Sequence, residues 1–265
     1  MTAPGSTAPH RLRLTAAEYA WLVERLGLAM PPGWEPVEPA GSSAPAGLAE
    51  KGVLVDGEVH PSVAMNLRIL AGPQVMLDTT ASIGAAGLHS LHAIAGALGA
   101  SLFQLGDGAV ELSLFAASDL GGELVRAVPP EAEPEIGTAL GEGAGTDPPH
   151  GRVPVAALHE LGVAELLRGA DPDAPAEVLA QLRLPAAEAE LAADVANRTN
   201  GGLVCQVTAR VAQDVRSARV AWLHAGDGWL GLRPDAQRRV LLEPVARADL
   251  GVWVAPYVAE AVSNG

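Results

Sequence analysis

The chain of 265 residues contains one cysteine, Cys205. No internal disulfide is open to it. Cys205 falls at a core-facing strand position, which suits burial, because reactive thiols need exposed, electropositive surroundings. Aromatic residues make up only 3% of the chain, and five of the nine are Trp. Lysine is almost missing, with Lys51 alone beside sixteen arginines. No run approaches the roughly eighteen apolar residues of a membrane span, and the Pro-rich start lacks the apolar core of a signal peptide. The expected location is cytoplasmic, with no membrane insertion. Positive charge is scarce as well: 17 basic residues face 31 acidic ones, for a net −14. That balance argues against a nucleic-acid or anionic-membrane partner. It is uneven, at −11 over residues 1–150 and −3 over residues 151–265.

Catalytic motifs are also lacking. There is no Ser-centred nucleophile elbow, no phosphate-binding loop and no metal-type Cys/His spacing. The Gly-rich run 141–145 has no strand before it, so it lacks the context that phosphate binding needs. Gly106-Asp107-Gly108 and Gly226-Asp227-Gly228 read as hairpin turns, without the second nearby acid that calcium requires. His89 and His92, three apart in a strand, point to opposite faces and cannot share a metal. Asp171-Pro172-Asp173 reads as a helix-entry turn. No metal and no cofactor is expected, although catalytic groups converging from distant positions would leave no such motif.

What is present is β-patterning. Leu203, Cys205, Val207, Ala209 and Val211 alternate with polar or exposed-phase neighbours, the period of a half-buried strand. Runs at 218–224, 229–233 and 239–244 follow, separated by short breaks rich in Gly, Asp and Pro, as in antiparallel hairpins. The same run recurs 130 residues upstream without a gap. Cys205, Val207 and Ala209 fall on Val75, Leu77 and Thr79; Gly226 falls on Gly96. Asp249-Leu250-Gly251 falls on Asp119-Leu120-Gly121. The chain therefore reads as two versions of one unit, each a sheet followed by a helix.

In order, residues 1–9 read as a polar tail and 10–14 as a short strand. Thr15-Ala16-Ala17-Glu18 is a capping box opening a helix. A Pro/Gly loop covers 31–47, a short helix 48–51, and Pro61 opens another helix that Gly72-Pro73 stops. Strands are expected at 74–83, 88–95, 100–105 and 109–115, then a helix ending at Pro129-Pro130. The N-terminal half is thus 10–130, a linker spans 131–151, and the C-terminal half is 152–265. In that second half a strand at 152–155 precedes helices at 157–168, 176–182 and from Pro185. Gly201-Gly202 is expected to cap the last of these, and Pro256 to interrupt the closing helix at 250–262.

Interface chemistry stands out in place of catalysis. Trp222 and Trp229 flank a hairpin turn with His224, and Arg210, Arg216, Arg219, Arg233, Arg238 and Arg239 lie within thirty residues. Trp and Arg most often anchor interfaces. The alternative is that each Trp packs under the helices and each Arg lies on a solvated edge.

The layout resembles the EspG family, the cytosolic chaperones of type VII secretion in actinobacteria. The resemblance covers most of the chain. It rests on Leu14-Thr15-Ala16-Ala17-Glu18 with its helix, on Gly52-Val53-Leu54-Val55-Asp56-Gly57-Glu58-Val59, and on Leu70-Ala71-Gly72-Pro73-Gln74-Val75-Met76-Leu77-Asp78. Near the end, Pro234-Asp235-Ala236-Gln237-Arg238-Arg239-Val240-Leu241 is similar to the family's turn before its last strand, but carries Gln237 or Arg238 where the family has Gly. The resemblance implies an α+β, pseudo-two-fold fold with a central antiparallel sheet flanked by N- and C-terminal helical subdomains. It implies no enzymatic activity, and a partner that is the helical tip of a PE–PPE-type substrate dimer. The contacts it implies fall on residues 84–89 and on the region from Arg210 onward. With the composition, this makes Ile83, Gly84, Gly87, Leu88, Arg210, Arg216, Trp222, His224, Trp229 and Arg233 the expected partner-binding residues. The chain itself is expected to be a monomer or weak homodimer. The competing readings are an enzyme with dispersed catalytic residues and a homodimeric structural protein joined through a sheet edge.

Overall fold

The computed structural model describes residues 11–130, 149–167, 174–211 and 214–263. The expected tail at 1–9, the run 141–145 with most of the linker, and the Asp171-Pro172-Asp173 turn lie outside the described residues.

Strand β1 (Arg11–Leu14) leads into α1 (Ala16–Arg25). The capping box forms as its residue types require: Glu18 N–H donates to Thr15 Oγ1 at 3.2 Å, and Thr15 N–H donates to Glu18 Oε2 at 2.7 Å. Then come α2 (Ala44–Glu50), the small hairpin β2 (Leu54–Val55) and β3 (Glu58–Val59), and α3 (Pro61–Ala71), with Pro61 in its first turn. The first sheet unit is β4 (Val75–Ile83), β5 (Ala86–Ala95), β6 (Leu98–Gln104) and β7 (Val110–Ala116), closed by α4 (Leu120–Arg126). The second half repeats the series: β8 (Gly151–Pro154), α5 (Val155–Leu167), α6 (Ala174–Leu182), α7 (Ala186–Arg198), β9 (Thr199–Val211), β10 (Asp214–Ala225), β11 (Gly228–Pro234), β12 (Arg239–Val245) and α8 (Asp249–Ser263).

Ten of these strands form one antiparallel sheet in the order β1-β7-β6-β5-β4-β9-β10-β11-β12-β8. Exchange each strand for its counterpart 130 to 140 residues away and the order reads the same from either edge. The register locates the symmetry axis. Leu77 pairs with Val207, its own counterpart, while Val75 pairs with Ala209 and Thr79 with Cys205. A two-fold axis normal to the sheet therefore passes between Leu77 and Val207. It also passes between α4 and α8, where a Cβ on Gly251 would stand 3.2 Å from the Cα of Gly121, the residue 130 positions earlier.

The two faces of the sheet are covered differently. One face carries Val75, Leu77, Ala81, Leu203, Cys205, Val207, Trp222 and Trp229, and α4 and α8 cross its middle with Leu120, Leu124, Leu250 and Val254. This central cluster draws residues from both halves, so neither half completes it alone. Burial pushes the Cys205 thiol up to about 11, which keeps it protonated and inert. The opposite face is covered at its two ends. Leu91, Ala93, Ala100, Leu102 and Leu112 pack under α1 to α3, and Leu230, Val240, Leu242 and Val153 pack under α5 to α7. These are the two helical subdomains.

Two expectations need correcting. Gly201 and Gly202 do not cap α7; they lie inside β9, which begins at Thr199 immediately after Arg198. Gly201 is needed for close approach, since a Cβ there would stand 2.1 Å from Ser82 O on β4. The closing helix is not interrupted but runs through Pro256. The carbonyl that Pro256 leaves unbonded belongs to Val252, which is exposed, so water can take its place.

Candidate docking surface

On the face with helices at both ends, the centre stays open. The helix-free floor consists of Asp78, Thr80 and Ser82 on β4, Val204, Gln206, Thr208 and Arg210 on β9, and Val215, Ser217 and Arg219 on β10. All of them are exposed or half-exposed. Register sets them in rows: Thr80 beside Val204 beside Ala221, and Asp78 beside Gln206 beside Arg219. Val204 and Val215, 42% and 67% exposed, are apolar residues in the outward phase of their strands. From β5, under α3, to β10, whose far end is under α7, is three strand spacings, about 14 Å. A single helix with side chains is about 10–12 Å across. The strip is one helix wide.

At one end of the strip stands the β4–β5 hairpin tip. Gly84 adopts φ +55°, a left-handed conformation that favours Gly, and its N–H donates to Asn200 O at 2.7 Å, tying the tip to the start of β9 behind α7. Gly84 and Gly87 are exposed. Arg210 lies nine residues along β9 from Gly201, so the tip and Arg210 mark opposite ends, about 30 Å apart. Arg219 donates from Nε to Gln206 Oε1 at 3.3 Å.

The expected binding residues do not share one surface. Ile83, Leu88, Arg216, Trp222, His224, Trp229 and Arg233 point to the α4/α8 face, and Arg210 to the open strip, as strand alternation requires. Trp222 and Trp229 are 1% exposed, with ring centroids 6.3 Å apart, and Trp253 of α8 meets Trp222 edge-on at 5.9 Å. In this conformation they present no area to a partner. His224 is buried against Trp229, with Nδ1 beside Asn200 Oδ1. Arg216 pairs with Glu260, and Arg233 pairs with Glu243 while lying 4.1 Å over the Trp253 ring. Arg216 and Glu260 line a cavity of about 320 Å³ together with Val207, Ala209, Ala218 and Tyr257, on the side away from the strip.

Residues outside the expected binding set make up most of the floor: Thr80, Val204, Gln206, Thr208, Ser217 and Arg219. Alternation identifies them as outward-facing, but it does not say which stretch of the outward face the helices leave bare. Two valines in the outward phase were the available signal. At the rim, Asp78 receives His89 Nε2 at Oδ1 (2.8 Å) and Trp34 Nε1 at Oδ2 (3.3 Å). Among the described residues no group of three or more His, Cys, Asp or Glu side chains is placed to hold a metal, and no helix is long and apolar enough to cross a membrane.

No family model and no curated protein sequence matches the chain. Solved structures do. EspG5, the type VII secretion system chaperone of Mycobacterium tuberculosis solved in complex with the PE25–PPE41 dimer, superposes at a TM-score of 0.64 with 14% identity, over 92% of this chain and 95% of that one. HtdX of the same organism aligns over 88% of this chain and 98% of its own at 11% identity, but its TM-score of 0.17 carries no structural argument. The α+β, pseudo-two-fold sheet with helices flanking its two ends is the fold of a type VII secretion chaperone, EspG5.

Proposed function

We propose that this chain is a cytoplasmic, non-enzymatic chaperone of type VII secretion that holds the helical tip of a PE–PPE-type dimer in the open strip. One observation carries the reading: a sheet surface of one-helix width, left bare between two helical subdomains, with apolar Val204 on its floor and hydrogen-bonding side chains around it. Such a floor matches an amphipathic helical tip, which lays its apolar side on Val204 and finds polar partners at Thr80, Gln206 and Thr208. The mechanism is masking. An aggregation-prone apolar tip is covered until the secretion machine takes it, and no bond is made or broken. EspG5 having been solved with PE25–PPE41 supports the partner class.

In this reading Gly84 and Gly87 form a compliant hairpin tip at one end of the strip, Arg210 offers charge-assisted hydrogen bonds at the other, and Arg219 offers them from the row it shares with Asp78. Trp222 and Trp229 stiffen the sheet from behind. Val204→Trp tests the assignment, because the position is exposed and the larger ring obstructs the strip without disturbing the core. Co-expressed with a PE–PPE-type pair from the same genome, the variant should lose at least about tenfold in affinity, roughly 1.4 kcal/mol, with an unchanged melting temperature. Undiminished binding of a confirmed partner by Val204→Trp would move the site elsewhere.

A further inference from the structure

His89 sits on β5 at the edge of the strip, between two acceptors. Its Nε2 is 2.8 Å from Asp78 Oδ1 on β4, and its Nδ1 is 3.2 Å from Gln104 Oε1 on β6. With the Gln104 amide presenting its oxygen, a neutral imidazole, which has one N–H and one lone pair, satisfies only one of these oxygens, and the other faces a lone pair. An imidazolium satisfies both. A third group agrees: the Trp34 ring lies over the His89 ring with centroids 4.2 Å apart and planes tilted by 38°, where an aromatic face attracts a cation.

Trp34 belongs to the connection between α1 and α2, so this cluster joins three separated parts of the chain. The other oxygen of Asp78 accepts from Trp34 Nε1 at 3.3 Å, and Trp34 O accepts from the Tyr19 hydroxyl at 2.7 Å. We propose that His89 is a pH-sensitive latch: held as an imidazolium by Asp78, Gln104 and Trp34, it fastens the α1–α2 connection to the rim of the strip and releases it on losing its proton.

The surrounding charges are few. β4 contributes Asp78. The α1–α2 connection contributes Glu35, whose carboxylate accepts from Gly33 N–H at 2.7 Å. β6 presents neutral Gln104, and β9 faces Asp78 with neutral Gln206, which accepts from Arg219 of β10. Asp78 thus dominates, and its hydrogen bond raises the His89 pKa above the usual histidine value of 6.5 against the opposing effect of burial. A histidine whose folded pKa is raised contributes its full stabilisation below 6.5 and loses it as pH climbs through the raised value. The latch therefore opens on the alkaline side.

Two measurements on the full chain test this. Ring resonances of His89 followed by NMR between about pH 5.5 and 9 should titrate above 6.5, and Asp78→Asn should bring the midpoint down. Over the same range, amide exchange in residues 33–37, corrected for its intrinsic pH dependence, should lose protection in step with His89 deprotonation. In His89→Phe, which keeps a ring against Trp34, that protection should not change with pH. Gln104→Leu, which leaves the His89 ring and Asp78 in place, should lower the midpoint if Phe at position 89 prevents folding. A midpoint at or below 6.5 in the unsubstituted chain, or protection of 33–37 that ignores His89, would overturn the proposal.

Discussion

At the scale of single residues, three positions hold conformations or charge states with measurable costs. Arg238, in the turn between β11 and β12, adopts φ +59°. Asp235 Oδ1 holds the turn by accepting from Gln237 N–H at 2.8 Å and Arg239 N–H at 3.0 Å. A side chain in the left-handed region costs about 1 kcal/mol, so Arg238→Gly should stabilise the fold by up to that amount in a denaturant titration. A glycine at this position would carry no such cost. His92 differs from His89 in environment: wholly buried, it is pushed down from 6.5 to about 3. The unfolded chain takes up a proton there that the folded chain refuses. The His92 contribution to stability should therefore be steady above pH 6.5 and fall below it, by up to about 1.4 kcal/mol per pH unit until about pH 3. His92→Phe should flatten the curve by that slope. Trp229 is core, so Trp229→Ala should cost about 3–5 kcal/mol of stability. Loss of partner affinity in that variant with an intact melting temperature would contradict its place inside.

At the scale of elements, the crossing of α4 and α8 makes opposite predictions for two equivalent glycines. A Cβ on Gly251 meets Gly121 Cα, whereas one on Gly121 meets nothing within 4 Å. Gly251→Leu should cost about 1–3 kcal/mol by forcing the helices apart, and Gly121→Ala should be neutral or gain up to about 1 kcal/mol from helix propensity. Thermal melts of the two variants decide it. Much of this level was readable from sequence, for physical reasons. The strands at β4 to β7 and β9 to β12 follow from alternation and Gly/Asp turns, and the gap-free shift anticipated the axis through Leu77 and Val207. The two-residue strands β2 and β3 are too short to show a period, and the turn between them places Asp56 at φ +53° and Gly57 at φ +82°. Sparse identity between the halves also has a cause, because positions on the α4/α8 face changed in coupled sets. Ser101 hydrogen-bonds Glu123 at 3.3 Å in the first half. At the equivalent places, Trp253 fills the room that Gly231 leaves, since a Cβ there would stand 2.4 Å from its ring. A cation over an aromatic face persists with its partners exchanged: Arg126 of α4 over Phe103 of β6 at 4.4 Å, and Arg233 of β11 over Trp253 of α8 at 4.1 Å. The docking strip was the least legible element, because bareness is a property of where the helices lie and no residue in the floor announces it.

At the scale of the whole molecule, one sheet and one shared central cluster bind the halves together. Unfolding should be a single transition, with Trp fluorescence and far-UV circular dichroism coinciding. Two separated transitions would mean that one half survives alone. The reversible strand order has a further consequence. A half-turn about the axis between Leu77 and Val207 carries β4 onto β9 and β5 onto β10, so the sheet backbone under the strip runs the same way from either end. Contour alone therefore cannot tell a guest which way to lie. That choice falls to chemistry that breaks the symmetry, with His89 and the glycine hairpin toward one end and Arg210 and Val215 toward the other. Under the proposed function, the polarity of a bound segment rests on these few side chains on an ambidextrous frame, and exchanging charge between the two ends should turn the segment around without altering the fold.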